Sequence, residues 1–136
     1  MIKGIAHICI GALDLAATER FYCAGLGMTK GFNFLRKGQV IGFYLKAADG
    51  VYVEVFKNSK IVPQPDQPIS HLCLEVSDID ETVARLKANG YDVTAKLLGA
   101  DRSWQAWVTD PAGVRIEFHQ YTAKSSQLTG ADCILE

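Results

Sequence analysis

The sequence predicts an α+β fold built from two βαβββ modules. The first observation is an internal repeat, because His7 and His71 lie 64 residues apart and Glu54 and Glu117 lie 63 residues apart. The second is that all four lie in short β-like runs: IAHICI, VYVEVF, ISHLCL and VRIEFH. A chemically distinctive pair that recurs half a chain later, in the same kind of run, indicates that one structural unit has been duplicated.

The first module, 1–58, is expected to hold four strands and one helix. The strands are predicted at 3–12, 28–36, 39–48 and 51–57, and the helix at 15–25. Asp14 is the predicted N-cap of the helix. Phe21, Tyr22 and Met28 are predicted core residues because they follow one stripe of the helix and the start of the next strand. The dipeptides Lys37-Gly38 and Asp49-Gly50 predict the two hairpin turns.

The second module, 69–122, repeats this order after a linker at 59–68 that contains Pro63, Pro65 and Pro68. Its strands are predicted at 69–76, 91–98, 103–109 and 114–121, and its helix at 79–89. Ser77 or Asp78 is the expected N-cap. The two modules together are expected to form one domain over 1–122. For the tail, 123–136, packing on a partner subunit and disorder both remain open.

Composition excludes several classes of protein. The net charge of −1 gives no electrostatic argument for nucleic-acid binding. No apolar run approaches the roughly 20 residues of a membrane span, and the first residues do not resemble a signal peptide. The four cysteines show no CxxC spacing, so reduced thiols in a cytoplasmic protein are expected.

The repeated residues predict a metal centre. Two imidazoles and two carboxylates, from His7, Glu54, His71 and Glu117, suit a divalent ion such as Zn²⁺, Ni²⁺, Co²⁺ or Mn²⁺. A buried, unpaired carboxylate in an apolar strand costs several kcal/mol, so it is expected to be paired, neutralised or metal-bound. A single His or Glu on a strand is usually a solvated edge residue. Four of them in register with a duplication make that interpretation the weaker one.

Two further segments carry a family resemblance. FYCAGLGM (21–28) and WVTDPAGVRIEF (107–118), together with the duplicated His and Glu, resemble the vicinal oxygen chelate superfamily and its glyoxalase I-like members over residues 3–121. The resemblance implies the glyoxalase/bleomycin resistance/dioxygenase fold, in which the sheets of the two modules form an open cupped barrel. It also implies one divalent metal per site, a small-molecule substrate, and a homodimer with the active site at or near the subunit interface.

Within that superfamily, the His-Glu-His-Glu set resembles bacterial glyoxalase I. This implies a lyase or isomerase that moves a proton through a metal-bound enediolate of an α-hydroxycarbonyl or hemithioacetal, with Glu117 as the first-choice base and Glu54 as the second. An epimerase or sugar-type isomerase on the same centre is an alternative. A small-molecule binding or resistance protein without chemistry is another. Extradiol dioxygenases, with two His and one Glu on iron, resemble the chain less.

Several residues are candidates for substrate binding. Alternation along the strands places four side chains on the face of Glu117: Gln105, Trp107, Arg115 and His119. Core packing is an equal alternative for Trp107, and a solvated strand end is the favoured interpretation of His119. Arg102 is a candidate for an anionic group, with an exposed loop position as the favoured alternative. Asn58 lies at the position of a glutathione-binding Asn in glyoxalase I. Alternatively, it is a turn residue, since Asn is common in turns after a strand. Gly11 replaces the Arg expected for glutathione.

Overall fold

The fold class predicted from the sequence is confirmed. The computed structural model describes residues 1–63 and 67–135. It contains two four-stranded mixed sheets accompanied by helices. The chain divides into two compact units: Met1–Gln64 with Asp110–Val114, and Pro65–Thr109 with Arg115–Glu136. The centre of the predicted linker, including Pro65, and the last residue of the tail lie outside the described residues.

The first unit is a sheet with the strand order β1-β4-β3-β2. Its strands are β1 (Ile8–Ala12), β2 (Thr29–Arg36), β3 (Gln39–Ala48) and β4 (Val51–Lys57). β1 runs parallel to β4, and the other neighbours are antiparallel. The β2–β3 turn has positive φ at both Lys37 and Gly38, as a tight hairpin turn compatible with strand twist requires.

One face of this sheet forms the core of the first unit. Phe43 and Leu45 of β3 and Val53 and Val55 of β4 are almost completely buried. Their neighbours along each strand, including Glu54, point to the opposite face because side chains alternate in a strand. The core uses one face, and the other is left for polar and aromatic side chains.

The predicted helix at 15–25 changes character halfway along its length. It begins as helix α1 (Leu15–Glu19), where the Asp14 side chain accepts a hydrogen bond from the Ala17 amide at 2.9 Å. It continues as a π-helical segment, Arg20–Gly25. The adjacent Phe21 and Tyr22 are both fully buried there, with their rings edge-to-face at 4.9 Å. Their predicted place in the core is confirmed, although a uniform α-helix is not.

The second unit repeats the topology, with the strand order β5-β8-β7-β6. Its strands are β5 (Leu72–Glu75), β6 (Leu97–Leu98), β7 (Trp104–Thr109) and β8 (Arg115–Gln120). Helix α2 spans Ile79–Ala88, and helix α3 spans Ser126–Thr129. Asp78 is the N-cap of α2, because its carboxylate accepts from the Glu81 amide at 2.9 Å. β5 is parallel to β8, as β1 is to β4.

Three predicted strand boundaries were wrong. The strands expected at 3–12 and 69–76 begin only at Ile8 and Leu72. The parallel registers match Ile8 with Val53 and Leu72 with Ile116, so β4 begins two residues, and β8 one residue, before the position paired with the start of the first strand. The strand expected at 91–98 is reduced to β6 and a single bridge at Val93. There the Thr94 hydroxyl accepts the Trp107 amide at 2.9 Å and takes the place of a backbone carbonyl.

The predicted turn at Asp110–Gly113 belongs to the first unit. The Asp110 carboxylate accepts the amides of Ala112 and Val114, both at 2.8 Å, and the Tyr22 hydroxyl at 3.0 Å. Burial raises the pKa of Asp110, and these hydrogen bonds offset part of that rise. Gly113 has φ +95°, a conformation that disfavours a side chain. The motif therefore orders a turn and anchors Tyr22.

Among the described residues, no helix is long and apolar enough to cross a membrane.

The Tyr22–Asp110 hydrogen bond makes a prediction about stability. Tyr22→Phe leaves a buried carboxylate without one donor, so we expect the free energy of unfolding to fall by about 1–3 kcal/mol. Urea unfolding at neutral pH measures this change. The control is Tyr121→Phe, which removes a hydroxyl from a partly exposed ring and should change stability by less than about 0.5 kcal/mol. Equal effects of the two substitutions would show that the buried hydrogen bond is not the cause.

Candidate metal centre

In each unit a histidine immediately before the first strand meets a glutamate on the last strand. The parallel registers match Cys9 with Glu54 and Cys73 with Glu117. Each histidine lies two residues before the paired cysteine, and this places it close to the carboxylate of the same unit. His7 Nε2 lies 3.6 Å from Glu54 Oε2, and His71 Nε2 lies 3.1 Å from Glu117 Oε2. The repeat in the sequence therefore becomes a repeat in geometry.

The pair in the second unit is the more enclosed. Glu117 is 7% exposed. Trp107 lies directly opposite Glu117 across the β7–β8 ladder, and its ring meets the His71 ring edge-on at 5.0 Å. The guanidinium of Arg115 lies over the Trp107 ring at 4.7 Å, where the π face attracts a cation. Ser70 Oγ is 2.8 Å from His71 Nδ1, which leaves Nε2 directed at Glu117.

His119 differs from the favoured expectation. It was expected to be a solvated strand end, but it is 8% exposed. Its Nε2 lies 3.0 Å from Glu117 Oε1, whereas His71 approaches the other oxygen, Oε2. Its Nδ1 lies 4.0 Å from Asp101 Oδ2. The strand end is buried because the Asp101 loop and the tail pack together, with the Ser126 amide donating to the Asp101 carbonyl at 2.8 Å.

Asp101 was missed by the sequence analysis. Its carboxylate accepts hydrogen bonds from the Ser103 amide at 3.1 Å and from Gln127 Nε2 at 2.6 Å. Burial raises its pKa, but these hydrogen bonds outweigh burial and the net pKa lies below the ordinary value. Gln105, which pairs with His119 across the ladder, donates to the same carboxylate at 3.4 Å. No local pattern connects Asp101 with His119, since His119 lies on another strand and Gln127 comes from the tail.

The pair in the first unit sits in different surroundings. The His7 side chain is 41% exposed, so this pair is more open to solvent than the second. Tyr44 lies opposite Glu54 across the β3–β4 ladder. It belongs to an aromatic face, which we define by five side chains: Phe32, Phe34, Tyr44, Tyr52 and Phe56. Within it Phe32 and Tyr52 each stack on Tyr44, at 4.8 and 5.4 Å, and Phe34 packs against Phe56 at 4.6 Å.

Two cysteines lie beside the glutamates. Burial, followed by the charge of Glu117, raises the pKa of Cys73 to about 12. The pKa of Cys9 is also raised, by burial and then by its hydrogen bond to Glu54. Both side chains are therefore neutral thiols near pH 7 in the absence of a metal. Cys73, Glu117 and His119 place potential ligand atoms within 4.8 Å of one another.

The remaining predicted site residues lie elsewhere. Arg102 is exposed, has φ +67°, and lines an open groove of about 670 Å³ with Lys124 and the tail. Asn58 is exposed, and its side-chain oxygen accepts the Lys60 amide at 3.0 Å, so it forms a local turn. A Cβ at Gly11 would lie 2.2 Å from Ile61 Cδ1, so Ile61 fills the space in which a longer side chain would begin.

The donor set fits a divalent metal. Imidazole nitrogens and carboxylate oxygens are ligands for Zn²⁺, Ni²⁺, Co²⁺ and Mn²⁺, with bonds of about 2.0–2.2 Å for Zn²⁺. In each unit an imidazole Nε2 and a carboxylate Oε2 lie 3.1–3.6 Å apart. Two ligand atoms of one metal ion can have this separation. In the second unit the buried His119 Nε2 also lies 3.0 Å from Glu117 Oε1, although no contact within the described residues has the geometry of a hydrogen bond.

Most of the chain matches a family model. Residues 4–118 match the model of the Glyoxalase/Bleomycin resistance protein/Dioxygenase superfamily. The chain therefore belongs to this superfamily, and the family resemblance of the sequence is confirmed.

Individual proteins are similar to the chain in sequence or in fold. The chain is 31% identical to "Uncharacterized protein YaeR" of Escherichia coli K12 over 127 residues, which are 88% of this chain and 97% of that protein. A glyoxalase family protein from Enterococcus faecalis is similar in structure, with a TM-score of 0.73, 26% identity, and coverage of 86% and 97% of the two chains. A lactoylglutathione lyase from Agrobacterium tumefaciens shares the fold at a TM-score of 0.66, with 22% identity and coverage of 90% and 96%.

The paired histidines and glutamates make a prediction about metal content. Protein purified without chelators or metal-affinity resin should contain divalent metal in near-stoichiometric amount, and His71→Ala should lose it. Because a ligand bound only to the folded state stabilises that state, free metal at 100 times Kd should add about 2.7 kcal/mol of stability. Elemental analysis and thermal unfolding with Ni²⁺, Zn²⁺, Co²⁺ and Mn²⁺ measure both effects.

The matched control for this experiment is Cys133→Ser, which removes an exposed thiol in the tail. It should leave metal content unchanged. Metal lost in Cys133→Ser but retained in His71→Ala would assign the binding to the tail thiol and contradict the predicted centre.

Proposed function

We propose that the protein is a divalent-metal-dependent lyase or isomerase of glyoxalase I type, which acts on an α-hydroxycarbonyl or hemithioacetal. One observation carries the proposal: each unit places an imidazole and a carboxylate side by side at equivalent positions, at 3.6 and 3.1 Å. The proposed ligands are His7, Glu54, His71 and Glu117. A sheet face that only packs or faces water has no need of two such pairs.

The metal would supply Lewis acidity, which lowers the cost of negative charge on a substrate oxygen. We assign the proton transfer to Glu117, which takes a proton from the carbon beside the carbonyl and returns it to the neighbouring carbon. Its burial supports this role, because a general base works best where water competes least. Glu54 is the second candidate, and its side chain is more exposed than that of Glu117.

The neighbours of Glu117 support a role in binding substrate. Trp107 and Arg115 line a small cleft of about 220 Å³ in the second unit. Trp107 offers an apolar surface beside His71, and Arg115 offers a positive charge to an anionic substrate group. Gln105 lies opposite His119 on the same face. We propose these three as substrate-binding residues.

Glutathione as the thiol component is less well supported. Asn58 already accepts a backbone hydrogen bond in its own turn. Ile61 occupies the position from which an Arg at residue 11 would extend. A substrate with fewer anionic groups fits these residues better. An epimerase or isomerase of another 2-oxo or sugar-type compound therefore remains the alternative within the same chemistry.

A second candidate function is small-molecule binding without catalysis. The aromatic face favours such binding, because the ring of Phe32 is stacked on that of Tyr44 although Phe32 is 52% exposed. Exposed, pre-stacked rings on the same face as Glu54 offer a surface for a flat apolar ligand. The proposed enzyme would use the same surface to hold the apolar part of its substrate.

We further propose that the protein is a homodimer, as the family resemblance implies. Each sheet is open, with β1 and β2 as the edges of one and β5 and β6 as the edges of the other. Unpaired strand edges and exposed sheet faces give a second copy surfaces on which to pack.

Solvent exchange separates the two candidate functions. A chain that transfers a proton through a carboxylate should introduce solvent deuterium into substrate or product, whereas a binding protein should not. NMR of methylglyoxal-derived hemithioacetals and of other α-hydroxycarbonyls in D₂O, with metal-loaded protein, measures this incorporation. Turnover without any incorporation would contradict the assignment of Glu117 as an exchanging base.

The role of Glu117 is tested by Glu117→Gln. This change keeps an oxygen donor but removes the basic carboxylate. We expect turnover to fall by about 10²–10⁴-fold, with a much smaller loss of metal affinity, measured by kinetics and calorimetry together. Glu54→Gln is the matched substitution in the first unit and should cost less turnover. Equal losses of turnover and affinity in Glu117→Gln would reduce Glu117 to a ligand.

A further inference from the structure

The tail packs on the loop that carries Asp101 through a set of hydrogen bonds. The Ser126 amide donates to the Asp101 carbonyl at 2.8 Å, and Gln127 Nε2 donates to Asp101 Oδ2 at 2.6 Å. Ser103 Oγ donates to Ser125 Oγ at 3.0 Å, and both serines are fully buried. We call these contacts of residues 125–127 with the loop the tail clasp. It holds both the backbone and the carboxylate of Asp101.

The Asp101 carboxylate lies beside one nitrogen of the His119 ring. Asp101 Oδ2 is 4.0 Å from His119 Nδ1, and His119 Nε2 is 3.0 Å from Glu117 Oε1. His119 Nε2 makes no hydrogen bond within the described part of the chain, so no such bond fixes the ring from that side. A carboxylate at the other ring nitrogen commonly sets the orientation of a histidine. The orientation of His119 therefore depends on Asp101.

The position of His119 matters because it lies against one particular oxygen of Glu117. His71 Nε2 is 3.1 Å from Glu117 Oε2, whereas His119 Nε2 approaches Oε1. The terminal torsion of a glutamate is broad, so an unrestrained carboxylate can turn. A buried ring against Oε1 restricts this rotation and keeps Oε2 beside His71. Since a displacement of about 1 Å can cost about 10²-fold in rate, this restriction bears directly on a base.

We propose that Asp101 is a positioning residue for Glu117 and that the tail clasp holds Asp101 in place. Asp101 orients the His119 ring, and that ring limits the rotation of the Glu117 carboxylate. The inference rests on the proposed function, in which Glu117 transfers the proton, and it gives the tail a role in turnover. It leaves the proposed metal ligands unchanged, so substitutions at Asp101 should affect turnover much more than metal affinity.

Chemical modification of the histidines tests the tail clasp without any substrate. Diethyl pyrocarbonate acylates accessible imidazoles, and peptide mass spectrometry assigns the product to each of the three histidines. In the metal-free, unsubstituted chain His119 should react more slowly than His7, because their side chains are 10% and 41% exposed.

Gln127→Ala removes the hydrogen bond from the tail to the Asp101 carboxylate. Because hydrogen bonds to charged groups are among the stronger ones, the modification rate of His119 relative to His7 should rise by about 10-fold or more. An unchanged ratio would show that the tail clasp does not hold the loop, and the inference would be wrong.

Kinetics of the Zn²⁺-loaded protein test whether the Asp101 carboxylate matters for the reaction. Asp101→Asn should lower kcat by about 10–100-fold, with much smaller changes in KM and in Zn²⁺ affinity, measured with the deuterium assay above and by calorimetry. Gln127→Ala should lower kcat in the same direction by a smaller factor. Leu128→Ala is the matched control on the same helix, because Leu128 is 63% exposed. It should change neither kcat nor the modification of His119.

The exchanged pair, Asp101→Asn with Gln127→Glu, separates positioning from folding. The introduced amide at 101 can still accept the Ser103 amide through its oxygen, and its NH₂ group can donate to the new carboxylate at 127. The tail clasp then re-forms with donor and acceptor exchanged. We expect stability in urea and the protection of His119 to return, whereas kcat stays low because an amide has replaced the carboxylate at Nδ1. Recovery of kcat together with stability would assign Asp101 a structural role only and overturn the inference.

The outcomes distinguish this inference from the proposed function. If the unsubstituted, Zn²⁺-loaded chain is active and a folded Asp101→Asn keeps its kcat, the inference alone is wrong. If the unsubstituted chain turns over none of the compounds tested, both are wrong. Circular dichroism verifies that each variant is folded. If Asp101→Asn fails to fold, Gln127→Ala decides the question, because it changes an exposed side chain of the tail and leaves the loop itself intact.

Discussion

The parallel pairing of the first and last strands of each unit is the constraint on which the site depends. β1 pairs with β4 and β5 pairs with β8 in equivalent registers, which match Cys9 with Glu54 and Cys73 with Glu117. This pairing brings a histidine before one strand next to a glutamate that is 46 or 47 residues away in sequence. A shift of one residue would turn each glutamate to the opposite, apolar face. The buried core residues on that face therefore help to hold the carboxylates in position.

Electrostatics explains why the second unit is the more specialised. A carboxylate as buried as Glu117 is costly unless positive or hydrogen-bonding groups surround it. The structure provides His71 beside one oxygen of Glu117 and His119 beside the other, at 3.1 and 3.0 Å. Asp101 lies behind His119 and extends the alternation of acidic and basic groups. A divalent cation bound beside these imidazoles would further compensate the charge of the carboxylate.

The two copies of the repeat differ in the side chains that surround the glutamate. In the first unit, the side chains around Glu54 are mainly aromatic, and in the second, the side chains around Glu117 are imidazole, indole and guanidinium. Apolar rings suit recognition of a ligand, and nitrogen donors suit binding of a metal. The same backbone pattern supports both because side chains on this face of the sheet are not needed for the core.

The sequence by itself determined the element order, the helix N-cap Asp14, the buried Phe21 and Tyr22, and the two His–Glu pairs as candidates. These follow from local periodicity and from a repeat, which are visible without three-dimensional information. The sequence left the second N-cap open between Ser77 and Asp78, and the structure decided for Asp78. Tertiary structure alone decided where the first strands begin, because a strand is defined by backbone hydrogen bonds to a partner strand that is distant in sequence. It also decided the burial of His119, since that depends on Asp101 and Gln127, which come from a loop and the tail. Such contacts join distant segments and leave no periodic pattern in the chain.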